Sequence, residues 1–224
     1  HFTIHSFPTR RSSDLGELRA KSYKFPGSSD FDFTSGTLVV TDPNGLNPAN
    51  TPLEEEVPRI NTGQTVEIKH EARGDYDLTG GTLRVGQMTG QIGFFHSGTL
   101  EITDGGLELG ASGPATDYPL GDDIALNADR TLMVDGTTHL ELGSEIHVNG
   151  GTFSTGKLTA ADPANADIDF QYLTPVPGTP APTGEIRVTD SNVFLGDSSD
   201  APASGDFSDA VFGDGFEVKN GQTW

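Results

Sequence analysis

The chain has 224 residues and a formal net charge of −20, from 33 Asp and Glu against 13 Lys and Arg. That excess of anions repels phosphate backbones and anionic headgroups, so nucleic-acid and membrane-surface binding are disfavoured. There is no Cys, which excludes disulfides, thiolate chemistry and Cys-ligated zinc, and no run of 18 apolar residues that would span a bilayer as a helix. Leu, Ile, Val and Phe supply only 52 residues, whereas Gly supplies 29. A thin core with many tight corners suits an array in which each repeat buries its face against its neighbours.

Residues 1–15 are set aside before any reading of the fold. His5-Ser6-Phe7-Pro8-Thr9-Arg10-Arg11-Ser12-Ser13-Asp14-Leu15 resembles the conceptual translation of a widely used short-read sequencing adapter, and foreign segments carry no information on the protein. The natural chain is expected to begin upstream of Gly16 and to continue past Trp224.

From Gly16 the chain is read as short strands broken by small-residue corners. Gly16 to Ala20 closes an incomplete repeat. The first full unit has Phe31 and Phe33, a corner at Ser35-Gly36, then Leu38 and Val40. The pattern returns at Tyr76 to Val85, with its corner at Gly80-Gly81, and at Gly93 to Ile102, with its corner at Ser97-Gly98. It returns again at Ile146 to Thr155, with its corner at Gly150-Gly151. Apolar residues two apart share one face of a strand. Counted from the corner Gly, four columns are therefore expected inside. They are Phe31, Tyr76, Gly93 and Ile146; Phe33, Leu78, Phe95 and Val148; Leu38, Leu83, Leu100 and Phe153; and Val40, Val85, Ile102 and Thr155. Asp32, Asp77, Arg84, Glu101 and His147 fall on the outward phase.

Looser copies lie between these units: Val66 and Ile68 after Gly63, Leu107 and Leu109, Leu132 and Val134, and Leu140 and Leu142. Strands so short and so close do not suit hairpins throughout. They predict an all-β fold, a right-handed parallel β-helix (β-solenoid) with protruding loops, in which Gly supplies the corner conformations. Residues 16–160 form the solenoid repeats. Thr41 to Pro58 and Ala111 to Asp123 are expected to protrude. Residues 161–184 carry Pro163, Pro175, Pro177, Pro180 and Pro182 and form a Pro-rich loop or a linker, with Pro175 to Pro182 expected outside the coil. Residues 185–224 are further β rungs or a truncated C-terminal β piece.

The unit Ser35-Gly36-Thr37-Leu38, Gly80-Gly81-Thr82-Leu83, Ser97-Gly98-Thr99-Leu100 and Gly150-Gly151-Thr152-Phe153 resembles the strand repeats of bacterial exported β-helix proteins. These include autotransporter passenger regions and Gly-rich repeat proteins with a terminal PEP-type sorting signal. The resemblance covers about Phe31 to Leu158. It implies a structural or adhesive segment of an exported bacterial surface or extracellular-matrix protein, located extracellularly, with glycans or other surface proteins as partners. A polysaccharide-binding or polysaccharide-cleaving β-helix is the alternative.

Candidate chemistry is sparse, and no catalytic, cofactor-binding or metal-binding residue is assigned. The acidic groups Asp30/Asp32, Asp122/Asp123, Asp167/Asp169, Asp197/Asp200 and Asp206/Asp209/Asp214 are either solvated loop acids or weak Ca²⁺ ligands, and they match no EF-hand or Gly-Gly-x-Gly-x-Asp repeat. A polysaccharide-cleaving enzyme needs facing carboxylates, or a base beside an acidic metal site; Asp77, Arg84 and Glu101 are the candidates. His70, His96, His139 and His147 share no metal-ligand spacing with one another. Thr37, Thr82, Thr99 and Thr152 recur after the corners; a flat Thr array would suit ice binding, but Thr is also a good strand residue. The expectation is a non-catalytic chain.

Overall fold

A computed structural model gives the architecture. It describes residues 16–21, 34–43, 59–73, 76–110, 118–141, 143–160, 167–169, 184–189, 194–195, 211–212 and 222–223. Phe31, Phe33, Leu142, most of 161–184 and the N-terminal tail lie outside these residues.

Within them the regular structure is all strand. In chain order the strands are β1 (Glu17–Ala20), β2 (Gly36–Val40), β3 (Arg59–Asn61), β4 (Gln64–Ala72), β5 (Tyr76–Met88), β6 (Ile92–Ile102), β7 (Leu107–Leu109) and β8 (Asp123–Asn127). They continue with β9 (Arg130–Leu140), β10 (Glu145–Asn149), β11 (Thr152–Ala160), β12 (Asp167–Asp169), β13 (Gly184–Val188), β14 (Phe194–Leu195), β15 (Val211–Phe212) and β16 (Gln222–Thr223).

Every ladder among them is parallel. The main sheet runs β1-β2-β4-β5-β6-β9-β11-β13-β16 without closing; β3 pairs with the first part of β5 and β7 with the last part of β9. A second sheet has the order β12-β10-β8, and β14 pairs with β15. An isolated antiparallel bridge joins Asn127 to Gly150.

The register explains why the alternation in the sequence is so regular. One column of directly opposed residues reads Leu18, Leu38, Val66, Leu83, Leu100, Leu132, Phe153 and Ile186 across eight neighbouring strands. Leu38 to Ile186 in this column are buried, and Leu18 packs partly buried against them. Two residues on, Val40, Ile68, Val85, Ile102, Val134 and Thr155 form a second buried column. Thr155 is polar in an apolar row, but its hydroxyl donates to Lys157 O at 2.8 Å and accepts from Thr138 Oγ1 at 2.9 Å, so burial leaves it satisfied. Ile124, Leu126, Ile146 and Val148 of the second sheet pack into the same core.

Three expectations are corrected in detail. The corner Gly of the two Gly-Gly pairs is the first: Gly80 has φ +121 and Gly150 φ +88, matching Gly36 and Gly98. The second Gly is needed for space, since a Cβ on Gly81 would stand 2.5 Å from Asn61 O and 2.7 Å from Gln64 O. Next, Gly93 does not join the inward column. A register shift falls between Tyr76↔Ile92 and Asp77↔Phe94, so β6 carries one extra residue there and Ile92 opposes Tyr76. Gly93 is that exposed extra residue, the signature of a bulge. Finally, Ile146 and Val148 face inward but oppose Ile124 and Leu126 in the second sheet, not the Tyr76/Leu78 row. The strands are also longer than the alternation suggested. β5 runs 13 residues because ladder pairing continues through its Gly corner.

Candidate functional site

Two outward faces carry the polar chemistry. On the main sheet, alternation turns the residue before each Leu of the buried column outward. The register aligns these residues as Thr37, Thr65, Thr82, Thr99, Thr131 and Thr152, six consecutive strands, with Glu17 and Glu185 at the two ends. Thr65 and Thr131 are not preceded directly by Gly as the other four are: Gln64 separates Thr65 from its corner Gly63, and Arg130 stands before Thr131. The hydroxyl row is one residue wide. Two positions on, the row reads Glu67, Arg84, Glu101, Met133 and Ser154, and it ends on β2 at Val39, which is fully buried.

The three residues considered for polysaccharide cleavage divide between two partnerships. Arg84 opposes Glu101 across β5 and β6, and its Nε donates to Glu101 Oε2 at 2.7 Å. Asp77 lies before the corner and is ion-paired with Arg59, Nη2 to Oδ2 3.7 Å. Each of the two carboxylates therefore has a guanidinium as its ion-pair partner. Nearby, the Arg73 guanidinium bonded to Glu71, helped by the Thr89 hydroxyl at 2.7 Å, holds the Glu71 carboxyl below the usual range.

A shallow hollow of about 300 Å³ opens beside β7 and β9, lined by Met88, Leu107, Glu108, Pro119, Thr137 and His139 among others. Glu108 and His139 are register partners across the two strands. His139 Nδ1 lies 2.7 Å from Thr159 Oγ1, and its Nε2 lies 3.7 Å from Glu141 Oε1. A hydroxyl, an imidazole and a carboxylate thus stand in sequence, but 3.7 Å is beyond hydrogen-bond length, so the carboxylate does not orient the ring as a nucleophile–base–acid relay requires.

The second face belongs to β8, β10 and β12. Asp123, Glu145 and Asp167 are directly opposed across the three strands, and Ala125, His147 and Asp169 form the next row. His147 sits two residues after Glu145, on the same face of β10. Its Nε2 is 2.8 Å from Glu145 Oε2 and 3.6 Å from Asp123 Oδ1. The short Ala125 opposite leaves the ring room to lean toward Asp123. The imidazole is largely covered, with its side chain 13% exposed, while Asp123 is 63% exposed. One ligand atom from each of these three residues falls within 4.8 Å of the others.

The sequence held part of this cluster. There Asp122/Asp123 and Asp167/Asp169 are separate acidic groups, and His147 shares no metal-ligand spacing with the other histidines. What joins them is the parallel register of three strands, together with the Glu145-x-His147 spacing in one strand. The acidic groups at Asp30/Asp32, Asp197/Asp200 and Asp206/Asp209/Asp214 lie outside the described residues, whereas His70 and His96 stand exposed on β4 and β6. Comparison with family models, with curated proteins and with solved structures finds no match to this chain.

Proposed function

We propose that the chain coils as a right-handed β-solenoid and serves as a structural or adhesive segment of an exported bacterial surface or extracellular-matrix protein, without catalytic activity of its own. One observation carries the coil. From β8 to β13 the chain alternates between two parallel sheets: β8, β10 and β12 belong to one, β9, β11 and β13 to the other. Each return adds a strand beside the previous one in the same sheet. Parallel neighbours need a long crossover, and here a strand of the other sheet provides it. In β4, β5 and β6 successive turns are spaced by a constant 17 residues, Val66 to Leu83 to Leu100. A solenoid of this kind turns its sheets into extended flat faces, and the Thr row beside a mixed-charge row gives one such face polar contacts along its length. Repeated weak polar contacts suit a glycan or another surface protein better than a small substrate.

The alternative is a solenoid that cleaves polysaccharide. The test is to incubate the chain, freed of residues 1–15, with acidic and neutral polysaccharides with and without Ca²⁺. Retention on a glycan surface without turnover is expected. Turnover abolished by Asp77→Ala or Glu101→Ala would overturn the structural reading in favour of the enzyme.

A further inference from the structure

We propose that Asp123, Glu145 and His147 form a binding site for a divalent transition-metal ion, zinc or its near relatives manganese and cobalt, on the face of the β8–β10–β12 sheet. The donor set points to that class. One imidazole nitrogen with carboxylate oxygens suits a borderline ion, whereas Ca²⁺ takes six to eight oxygens and gains little from a ring nitrogen.

The spacing agrees. Zinc binds nitrogen and oxygen at about 2.0–2.2 Å, so two ligands of one ion stand about 3.0 Å apart at a right angle and about 3.4 Å apart at the tetrahedral angle. Nε2 of His147 stands 2.8 Å from one carboxylate and 3.6 Å from the other. An ion among the three atoms therefore needs only small side-chain adjustments. The ring is set for this by its covered position and by its strand, which also carries Glu145 two residues earlier.

Electrostatics supplies the second argument. Asp123 and Glu145 occupy directly opposed positions on adjacent strands. Like charges opposed across a sheet are destabilising. A protonated His147 supplies one positive charge to this row, whereas a divalent ion supplies two and is held by fixed ligands on both β8 and β10. An ion bound there fastens one strand to the next, and because it needs both strands in place it stabilises the folded chain by mass action. This inference does not depend on the adhesive reading and survives if that reading fails.

The test uses the full chain. Calorimetric titration with ZnCl₂, MnCl₂ and CaCl₂ is expected to show one saturable transition-metal site. Its affinity should fall about tenfold or more in His147→Ala and in Asp123→Asn. It should stay unchanged in His139→Ala, which removes a His–carboxylate pair on the other sheet. Should His147→Ala fail to fold, the unaltered chain still gives an answer: substoichiometric Mn²⁺ should broaden the ring signals of His147 before those of the other five histidines. Absence of saturable binding, equal broadening of all histidines, or Zn²⁺ affinity that survives loss of the His147 ring would overturn the site and leave only diffuse attraction of cations to an acidic surface.

Discussion

Gly98 tests how tightly the strands are stacked. It has φ +105, and a Cβ placed on it would stand 2.2 Å from the carbonyl oxygen of Gly81 on the neighbouring strand and 3.1 Å from Gly80 C and Gly81 N. No side-chain rotation relieves this, because the opposing atoms are backbone. Gly98→Ala therefore carries two costs. The positive φ costs about 1–2 kcal/mol for a residue with a Cβ. Opening the β5–β6 spacing by close to an ångström weakens local ladder hydrogen bonds, each worth about 0.5–1.5 kcal/mol. The smaller entropy of an unfolded Ala returns about 0.4–1 kcal/mol. With two such bonds weakened, the net expectation is a loss of about 1–5 kcal/mol. Gly143 is the control: its φ is +77, yet nothing lies within 4 Å of an added Cβ. Gly143→Ala should cost at most about 1.5 kcal/mol by the same reckoning. Urea unfolding of both variants beside the parent, followed by far-ultraviolet circular dichroism, measures the difference. Equal losses, or a loss under about 1 kcal/mol at Gly98, would refute the close backbone contact between β5 and β6.

Three further outcomes follow from the same structure. Leu83→Ala and Leu100→Ala should each cost about 2–5 kcal/mol in denaturant unfolding, because both side chains are fully buried between apolar neighbours in register, whereas Glu108→Ala, on the exposed phase, should stay within about 0.5 kcal/mol. Burial pushes the Tyr76 phenol well above its ordinary value; a raised folded pKa means that stability is complete below about pH 10 and is lost as pH rises beyond it. Absorbance titration should find the Tyr76 phenol ionising only as the chain unfolds. For Glu71 the sign is opposite: its lowered pKa makes a small stabilising contribution that is present above the ordinary carboxylate range and is lost as pH falls through the folded value, and carboxyl carbon shifts should show it titrating below 4.5.

The strand class, the inward phase and the parallel stacking were legible in the sequence because the repeat is written in strict alternation. Leu38, Leu83, Leu100 and Phe153 share one buried column as their spacing from Gly implied. Units without a Gly-Thr pair are harder to place. Thr65-Val66 and Thr131-Leu132 occupy the same columns, but Gln64 separates Thr65 from Gly63 and Arg130 stands before Thr131, and only the hydrogen-bonded register puts both in line. A bulge defeats counting altogether, since Gly93 shifts every residue before it by one place. The cluster of Asp123, Glu145 and His147 was invisible for another reason. It depends on which strands are neighbours, and the 22-residue step from Ile124 to Ile146 is a property of the fold that no local pattern states.

The stack of strands can be measured directly through the Thr row. Five steps separate Thr37 from Thr152 in the ladder, passing Thr65, Thr82, Thr99 and Thr131, and three steps separate Thr37 from Thr99. Parallel strands lie about 4.8 Å apart, so the backbone separations are about 24 Å and about 14 Å. Nitroxide labels at these pairs, read by pulsed and continuous-wave electron paramagnetic resonance, should give distances that lengthen in that order and by about that difference. A Thr37–Thr152 distance no longer than Thr37–Thr99 would contradict the sequential parallel stack on which the proposed solenoid rests.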